Sequence, residues 1–303
     1  MNIVDLYRNG DPVMSFEFFP PKTERGYQSL FETIRDLGEL APGFVSVTMG
    51  AGGSTRNQTV DLVIRIEREL GLTAMAHLPC LGSESSEIAQ ILDDLTAGGI
   101  QNVLALRGDP PRDAADFRHP DSGFDYANEL TAFIAERGGF TIGGGCHPEM
   151  HPEAESPEVD LAQLKKKVEA GSQFLISQLF FDNTKFFDFV ERARAVGIQV
   201  PIVPGIMPIT SVSGIRRMAS LGGGTIPAEL NATLSLNENG GTGTNTGTNN
   251  TNDAILEIGI EWATLQCREL IEGGVPGIHF YTLNRSSATR RIHHALREMG
   301  LVQ

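Results

Sequence analysis

The sequence predicts an α/β fold, a (β/α)8 TIM barrel made as a single domain over 1–303 with an extra N-terminal helix. Three observations predict it. Eight short apolar segments begin at 13, 44, 73, 102, 141, 174, 200 and 277. Nearly every one is followed by a stretch with helical apolar spacing. The first six intervals between strand starts run from 26 to 39 residues, the length of one βα unit each. Strands that alternate with helices pair in parallel, because a parallel return needs a crossover, and eight such units in one chain point to a closed barrel. A doubly wound open sheet is the structural alternative. The first strand is not followed by the G-x-G-x-x-G turn that such a sheet uses for dinucleotides.

In order, 1–10 read as a short helix or arm that leads into strand 13–19. Leu30, Ile34 and Leu37 then mark a helix over 24–40. Strand 44–48, helix 57–70, strand 73–80, helix 84–97 and strand 102–108 follow. A longer loop, 109–124, precedes helix 125–137, and strand 141–146 is rich in glycine. Helix 158–170, strand 174–181, helix 184–196, strand 200–206 and helix 211–221 continue the alternation. After a long interval, helix 254–273, strand 277–283 and helix 286–299 close it. That interval holds 237–252, a tract of Asn, Gly, Thr and one Glu with no apolar side chain. Such a tract cannot offset its ordering entropy by burial, so it reads as a low-complexity, disordered loop inside the domain.

Composition narrows the function. Of 303 residues 40% are hydrophobic and 20% charged, as in a globular protein, and the net charge is −14. So acidic a chain does not suit nucleic acid, whose binding depends on Lys and Arg meeting phosphates. No stretch is long and apolar enough for a membrane helix, and the start lacks the basic and apolar regions of a signal peptide. Cys80, Cys146 and Cys267 are odd in number and widely spaced, which predicts a reducing cytoplasm without a disulfide framework. The sequence leaves a homo-oligomer open.

Polar residues gather where a barrel builds its active site, at the carboxyl ends of the strands. Strand 1 ends at Glu17, strand 2 at Thr48, and strand 3 carries His77. Strand 4 ends in Arg107-Gly108-Asp109, strand 5 runs into His147, strand 6 carries Gln178, and Asn284-Arg285 follow strand 8. One of these alone would be a satisfied structural group. Seven of eight strands ending so suggest the walls of one pocket. In the first strand, Ser15, Glu17 and Phe19 alternate with Phe16 and Phe18. A Glu among aromatics is harder to ionise and can serve as a general acid; the alternative is a strand-end carboxylate in an ion pair. Gly50–Thr55 lacks the Lys of a P-loop and reads as a weak backbone nest or a flexible loop. In Cys146–Glu153, two prolines forbid the helix that would align His147 and His151 on a metal, so no metal site is expected. Asp160, Gln163 and Lys167 share one helix face, which would suit a ligand.

The motifs SFEFFPPKT (15–23), VSVTMGAGGSTR (45–56), AHLPC (76–80), LALRGDPP (104–111), HPEMHPEA (147–154), LISQLFFD (175–182), PIVPGIMP (201–208) and HFYTLNR (279–285) resemble the methylenetetrahydrofolate reductase family, in order and along almost the whole chain. The length is similar to that of the bacterial-type catalytic barrel alone. The resemblance implies a flavoprotein of one-carbon and methionine metabolism. In it NADH or NADPH reduces bound FAD, which then reduces 5,10-methylenetetrahydrofolate to 5-methyltetrahydrofolate, both substrates using one pocket in turn. It further implies Glu17 as the general acid and Asp109 as the catalytic carboxylate between cofactor and folate. Gln178 and Arg285 would join them in binding the folate. For FAD it implies Thr48, His77, Leu106, Arg107, Gly108, Asp109, Tyr126, Ala127, His147, His151, Asp160, Gln163, Lys166 and Lys167. Many members carry Tyr where His147 stands. The segment 227–231 lacks the aromatic and the later Gln of the bacterial motif, so no substrate residue is expected there. Two other readings remain: a related flavin barrel that oxidises an amine, similar to proline dehydrogenase, and a non-catalytic barrel subunit.

Overall fold

The computed structural model describes residues 1–50, 55–110, 120–238 and 248–303, with backbone only for 248–251. A short helix α1 (Ile3–Leu6) precedes β1 (Val13–Phe18), α2 (Glu24–Gly38), β2 (Phe44–Val47), α3 (Arg56–Leu70), β3 (Ala74–Pro79), α4 (Ser85–Gly98) and β4 (Asn102–Leu106). There follow α5 (Ala127–Arg137), β5 (Thr141–Cys146), α6 (Pro157–Glu169), β6 (Phe174–Ser177), α7 (Asn183–Ala195), β7 (Ile202–Val203) and β8 (Gly205–Ile206). Helices α8 (Val212–Gly222), α9 (Ala228–Glu238) and α10 (Thr248–Glu272), strand β9 (Gly277–Tyr281) and α11 (Ser287–Glu298) complete the chain. All strand pairs are parallel, in the order β7-β6-β5-β4-β3-β2-β1-β9-β8. This is the expected TIM barrel.

Alternation along each strand sorts the side chains. Phe16 and Phe18 of β1 and Val45 and Val47 of β2 point outward into the main core, where they meet Leu30, Ile34 and Leu37 of α2 and Leu62 and Ile66 of α3. Inside, the amino-terminal half is apolar: Phe44, Met75, Leu104, Phe174 and Val203 fill it. The N-terminal helix plugs that end. Ile3 is fully buried, its N–H donates to Asn102 Oδ1 at 2.9 Å, and Asn102 Nδ2 donates to the Met1 carbonyl at 3.0 Å. The barrel interior is thereby closed at this end, and its polar inward side chains lie toward the other.

The seventh stave closes the barrel, and Pro204 divides it. A proline has no N–H to give a ladder. Its carbonyl accepts from His279 N–H at 2.9 Å, so β8 turns to β9 while β7 stays with β6. Across the seam, Gly205 N–H donates to Ser177 Oγ at 2.9 Å and the Ser177 carbonyl accepts from Tyr281 Oη at 2.6 Å. Side chains thus satisfy the buried backbone groups that the ladder leaves over. Gly205 is required for the approach: a Cβ there would collide with the Ser177 carbonyl and stand 2.6 Å from Tyr281 Oη.

The structure corrects four expectations. The strand expected over 200–206 is two short pieces, for the reason just given. The strand expected over 174–181 ends at Ser177, so Gln178 lies just past it. Helix α9 was not foreseen: its apolar signal is essentially Leu230 and Leu234, both buried against the α8 cluster. Helix also enters both ends of the 237–252 tract, since α9 ends at Glu238 and α10 starts at Thr248. The interior of that tract, 239–247, lies outside the described residues, as do 51–54 of the glycine-rich loop and 111–119 of the loop after β4.

Gly205→Ala is expected to destabilise the barrel by about 1–3 kcal/mol, because the obstructing atoms are backbone and a packed ring. Thermal unfolding of the variant beside the unaltered protein checks this.

Candidate active site

The carboxyl end of the barrel interior is polar. Glu17, next to last in β1, faces inward, with Oε2 at 3.4 Å from His77 Nε2 on β3 and at 3.4 Å from His279 Nε2 on β9. The Glu17 side chain keeps 17% of its exposure and is the member of this group that reaches the opening, while His77 and His279 are buried. Burial holds His77 below the ordinary imidazole range, so it stays neutral and does not make a full ion pair with Glu17. His77 Nε2 has no hydrogen-bond partner among the described residues, since its contact with Glu17 lacks hydrogen-bond geometry. A buried polar atom left so is unusual and calls for a ligand or water.

His279 is set from behind. Its Nδ1 lies 2.8 Å from Ser15 Oγ, its ring stacks on Phe44 with centroids 5.8 Å apart, and Tyr281 meets it edge-on. Ser15 Oγ also reaches the Ile278 carbonyl at 3.4 Å, and Ser46 Oγ lies 3.5 Å from His279 Nε2. Burial, then the nearby Glu17 charge, pushes the Tyr281 phenol well above its usual range, so it remains a donor to Ser177. Ser15, Ser46, Tyr281 and His279 were not singled out from the sequence. The signal was present: Ser15 shares a strand face with Glu17, and His279 and Tyr281 share one on β9.

At the carboxyl end of the sheet a cavity of about 590 Å³ lies between the ends of β4 and β5 and the helices α5 and α6. It collects nine of the expected cofactor residues: Arg107, Tyr126, Ala127, His147, His151, Asp160, Gln163, Lys166 and Lys167. Local chemistry explains their placing. Ser156 caps α6 through Val159 N–H at 3.3 Å, with Pro157 in its first turn. That directs Asp160 back to the His151 N–H, 3.0 Å from Oδ2. The Glu153 N–H donates to His151 Nδ1 at 3.1 Å, so Nε2 of that ring carries the proton and can donate. His147 and His151 meet edge to face at 4.6 Å. Glycine-rich β5 makes room for Lys167, whose stem would stand 2.9 Å from a Cβ at Gly144 and whose Nζ donates to the Gly145 carbonyl at 2.7 Å. Burial lowers the Lys167 pKa and takes His147 down to about 3. Arg107 is held by Glu153 at 2.5 Å. Among the described residues no group of three His, Cys, Asp or Glu could hold a metal ion, and no helix is long and apolar enough to cross a membrane.

The remaining expected residues lie around the same mouth. Thr48 follows β2, and its carbonyl is held by Thr59 Oγ1 at 2.9 Å. Leu106 ends β4 and packs toward Gly145. Gly108 has φ +81°, and a Cβ there would press on Pro79 at 2.7 Å. Asp109 is exposed beyond it. Gln178 does not face Glu17 through any hydrogen bond: Oε1 accepts from Leu179 N–H at 2.9 Å and the side chain lies against Gly222. Arg285 is exposed, beside Thr210 and Ser211. A second cavity of about 600 Å³ opens at the opposite end, near α1 and the chain terminus. It is remote from the strand ends where barrel chemistry is built.

A family model described as Methylenetetrahydrofolate reductase matches residues 2–297. The chain is 38% identical over 320 residues to Methylenetetrahydrofolate reductase (NADH) 1 of Arabidopsis thaliana, covering 100% of this chain and 51% of that protein. It is 35% identical to 5,10-methylenetetrahydrofolate reductase of Pectobacterium carotovorum, covering 93% and 89%, and 36% identical to that of Escherichia coli, covering 93% and 90%. The chain thus spans about half the length of the curated plant relatives it matches, and most of the bacterial ones. Among solved structures, an uncharacterized protein from Clostridium thermocellum, described as binding two copies of 5-methyl-5,6,7,8-tetrahydrofolic acid, superposes with a TM-score of 0.65 over 98% of both chains at 16% identity. That likeness is one of fold.

His147 gives the site a pH signature. Its pKa falls from 6.5 to about 3 on folding, so below pH 6.5 the unfolded chain binds the extra proton. This contribution to stability is fully present above the unfolded value and is lost toward the folded one, at up to about 1.4 kcal/mol per pH unit. His147→Gln is expected to lose stability less steeply than the unaltered protein between about pH 6 and about pH 4, read by chemical denaturation across that range.

Proposed function

Because the chain belongs to the methylenetetrahydrofolate reductase family, we propose that it reduces 5,10-methylenetetrahydrofolate to 5-methyltetrahydrofolate, with FAD as bound cofactor and NADH or NADPH as reductant in alternating turns. The observation that carries this reading is the inward carboxylate of Glu17 at the carboxyl end of the barrel, the end at which β4 and β5 open into the cavity lined by Arg107, Lys166 and Lys167.

The residues present fit FAD. His77 Nε2 is a buried polar atom without a partner at the barrel mouth. The adjoining cavity offers Arg107, Lys166, Lys167 and His151 as donors toward a diphosphate, with Asp160 and Gln163 for ribose or adenine. Tyr126, 59% exposed, is an unburied ring for an aromatic system to cover. When bound, FAD supplies the hydride carrier between nicotinamide and folate.

What the chain itself does is proton work and positioning. In the substrate a five-membered ring bridges N5 and N10 of the folate, and hydride adds only after that ring opens to an iminium. Glu17 would protonate N10 and make it a leaving group. The hydrogen bonds behind it suit that task. A hydroxyl has one proton, and when Ser15 gives its proton to the Ile278 carbonyl it must accept from His279 Nδ1. His279 Nε2 then presents a lone pair to Glu17, an arrangement that a protonated carboxyl completes. Asp109 would favour the cationic iminium by its charge. Gln178 would exchange its bond to Leu179 for the pterin edge. Arg285 would meet the glutamate carboxylate with its planar fork.

Purified protein reconstituted with FAD is expected to be yellow, and failure to bind flavin removes the reading. Glu17→Gln should slow folate reduction by about 10²-fold or more while NADH or NADPH still bleaches the flavin. Stopped-flow measurement of the two half-reactions separates these, and loss of both contradicts an acid that serves the folate step alone.

A further inference from the structure

The turn that follows β9 is strained. Leu283 and Asn284 have φ of +51° and +57°, and Arg285 N–H closes the turn on the Thr282 carbonyl at 3.0 Å. Two consecutive left-handed residues suit Gly, Asn or Asp; a leucine there costs about 1–3 kcal/mol and persists only where the surroundings over-determine it. The surroundings here are the end of β1. Asn284 Oδ1 accepts from Phe19 N–H at 3.0 Å, and its Nδ2 donates to the Phe19 carbonyl at 2.8 Å. Thr282 Oγ1 donates to the Glu17 carbonyl at 2.6 Å and accepts from Asn284 N–H at 3.2 Å. The β1–β9 ladder ends at the pair Glu17 and Tyr281 with the Thr282 N–H reaching the Glu17 carbonyl at 3.4 Å, and beyond it these side chains continue the pairing.

We infer that Asn284 is a positioning residue for the proton donor: its amide grips the backbone of Phe19, fixes the last residues of β1, and so aims the Glu17 carboxyl into the mouth. This rests on the folate-reducing role given to Glu17 above. The grip has two consequences. Glu17 is paired on both sides, with Tyr281 of β9 and Ser46 of β2, and the grip on Phe19 keeps that pairing from fraying at its end, so that the carboxylate keeps its station between His77 and His279. The grip also ties the acid to Arg285, the next residue in the same turn. A substrate held at one end by Arg285 and protonated near the other by Glu17 would have both contacts set by a single rigid joint. A full Asn side chain is needed, since the task calls for one donor and one acceptor on a residue that tolerates positive φ.

The test is Asn284→Gly, which keeps the left-handed turn accessible but removes both amide bonds. Two measurements are made on the full FAD-loaded chain. Hydrogen exchange should show the Phe19 amide losing protection. Stopped-flow kinetics should show the folate half-reaction at saturating substrate falling by about 10²-fold, the cost of a misplaced group, while the nicotinamide half-reaction changes little. Asn284→Asp keeps the acceptor toward Phe19 N–H but sets a carboxylate against the Phe19 carbonyl, so it should remain slow in the folate step. An unchanged folate half-reaction in Asn284→Gly overturns the inference. So does an equal fall in both half-reactions, which marks general loosening of the fold. If the unaltered protein reduces no methylenetetrahydrofolate, the proposed function falls and the role of Asn284 falls with it. That failure is told apart because it needs no variant.

Discussion

One carboxylate inside the barrel wall governs the site. Glu17 sits 3.4 Å from two imidazoles that burial and packing have already set, and no lysine or arginine is paired with it among the described residues. Everything near it serves to hold that position. Apolar side chains fill the far half of the barrel, α1 plugs the far end, and the outward Phe16 and Phe18 anchor β1 in the shell of helices. Ser15 and Ser46 then use hydroxyl groups to hold His279, and Ser177 and Tyr281 use theirs to satisfy the backbone at the seam. Buried polar groups are tolerable there where they are bonded, and among the described residues His77 Nε2 is a buried atom left without a hydrogen-bond partner.

A second constraint is electrostatic. The chain carries a net charge of −14, and Arg107, Lys166 and Lys167 line one cavity together with Glu129, Glu153, Glu155 and Asp160. A charged side chain in a concave, partly buried place loses part of its hydration. Lys167 shows the cost: burial lowers its pKa, and its amine is held by the Gly145 carbonyl. His147 goes further and is neutral throughout the ordinary pH range. It therefore contributes ring surface and hydrogen bonding to the cavity, with no charge.

Much of this was legible in the residues. Strand starts at 13, 44, 102, 141, 174 and 277 coincide with those observed, because parallel inner strands are continuous apolar runs with sharp turn boundaries. Glu17 stood out because a carboxylate in an aromatic strand conflicts with its neighbours. Nine residues spread over 107–167 were expected at one ligand, and one cavity does gather them. Less legible were elements whose reason is nonlocal. Helix α9 has two buried leucines and forms against α8 and α10. The divided seventh stave follows from where Pro204 meets β9, which its own segment does not announce.

The sequence by itself determined the alternation of strand and helix, the inward face of Glu17, and the set of polar strand ends, since period and residue chemistry are local properties. Only the tertiary structure decided that His279 stands behind Glu17, that Gln178 turns to its own backbone over Gly222, and that Asn284 grips Phe19 from 265 positions away. Those outcomes depend on barrel closure. Closing the sheet brings the first strand beside the last, and no local pattern encodes which side chains then meet across the seam.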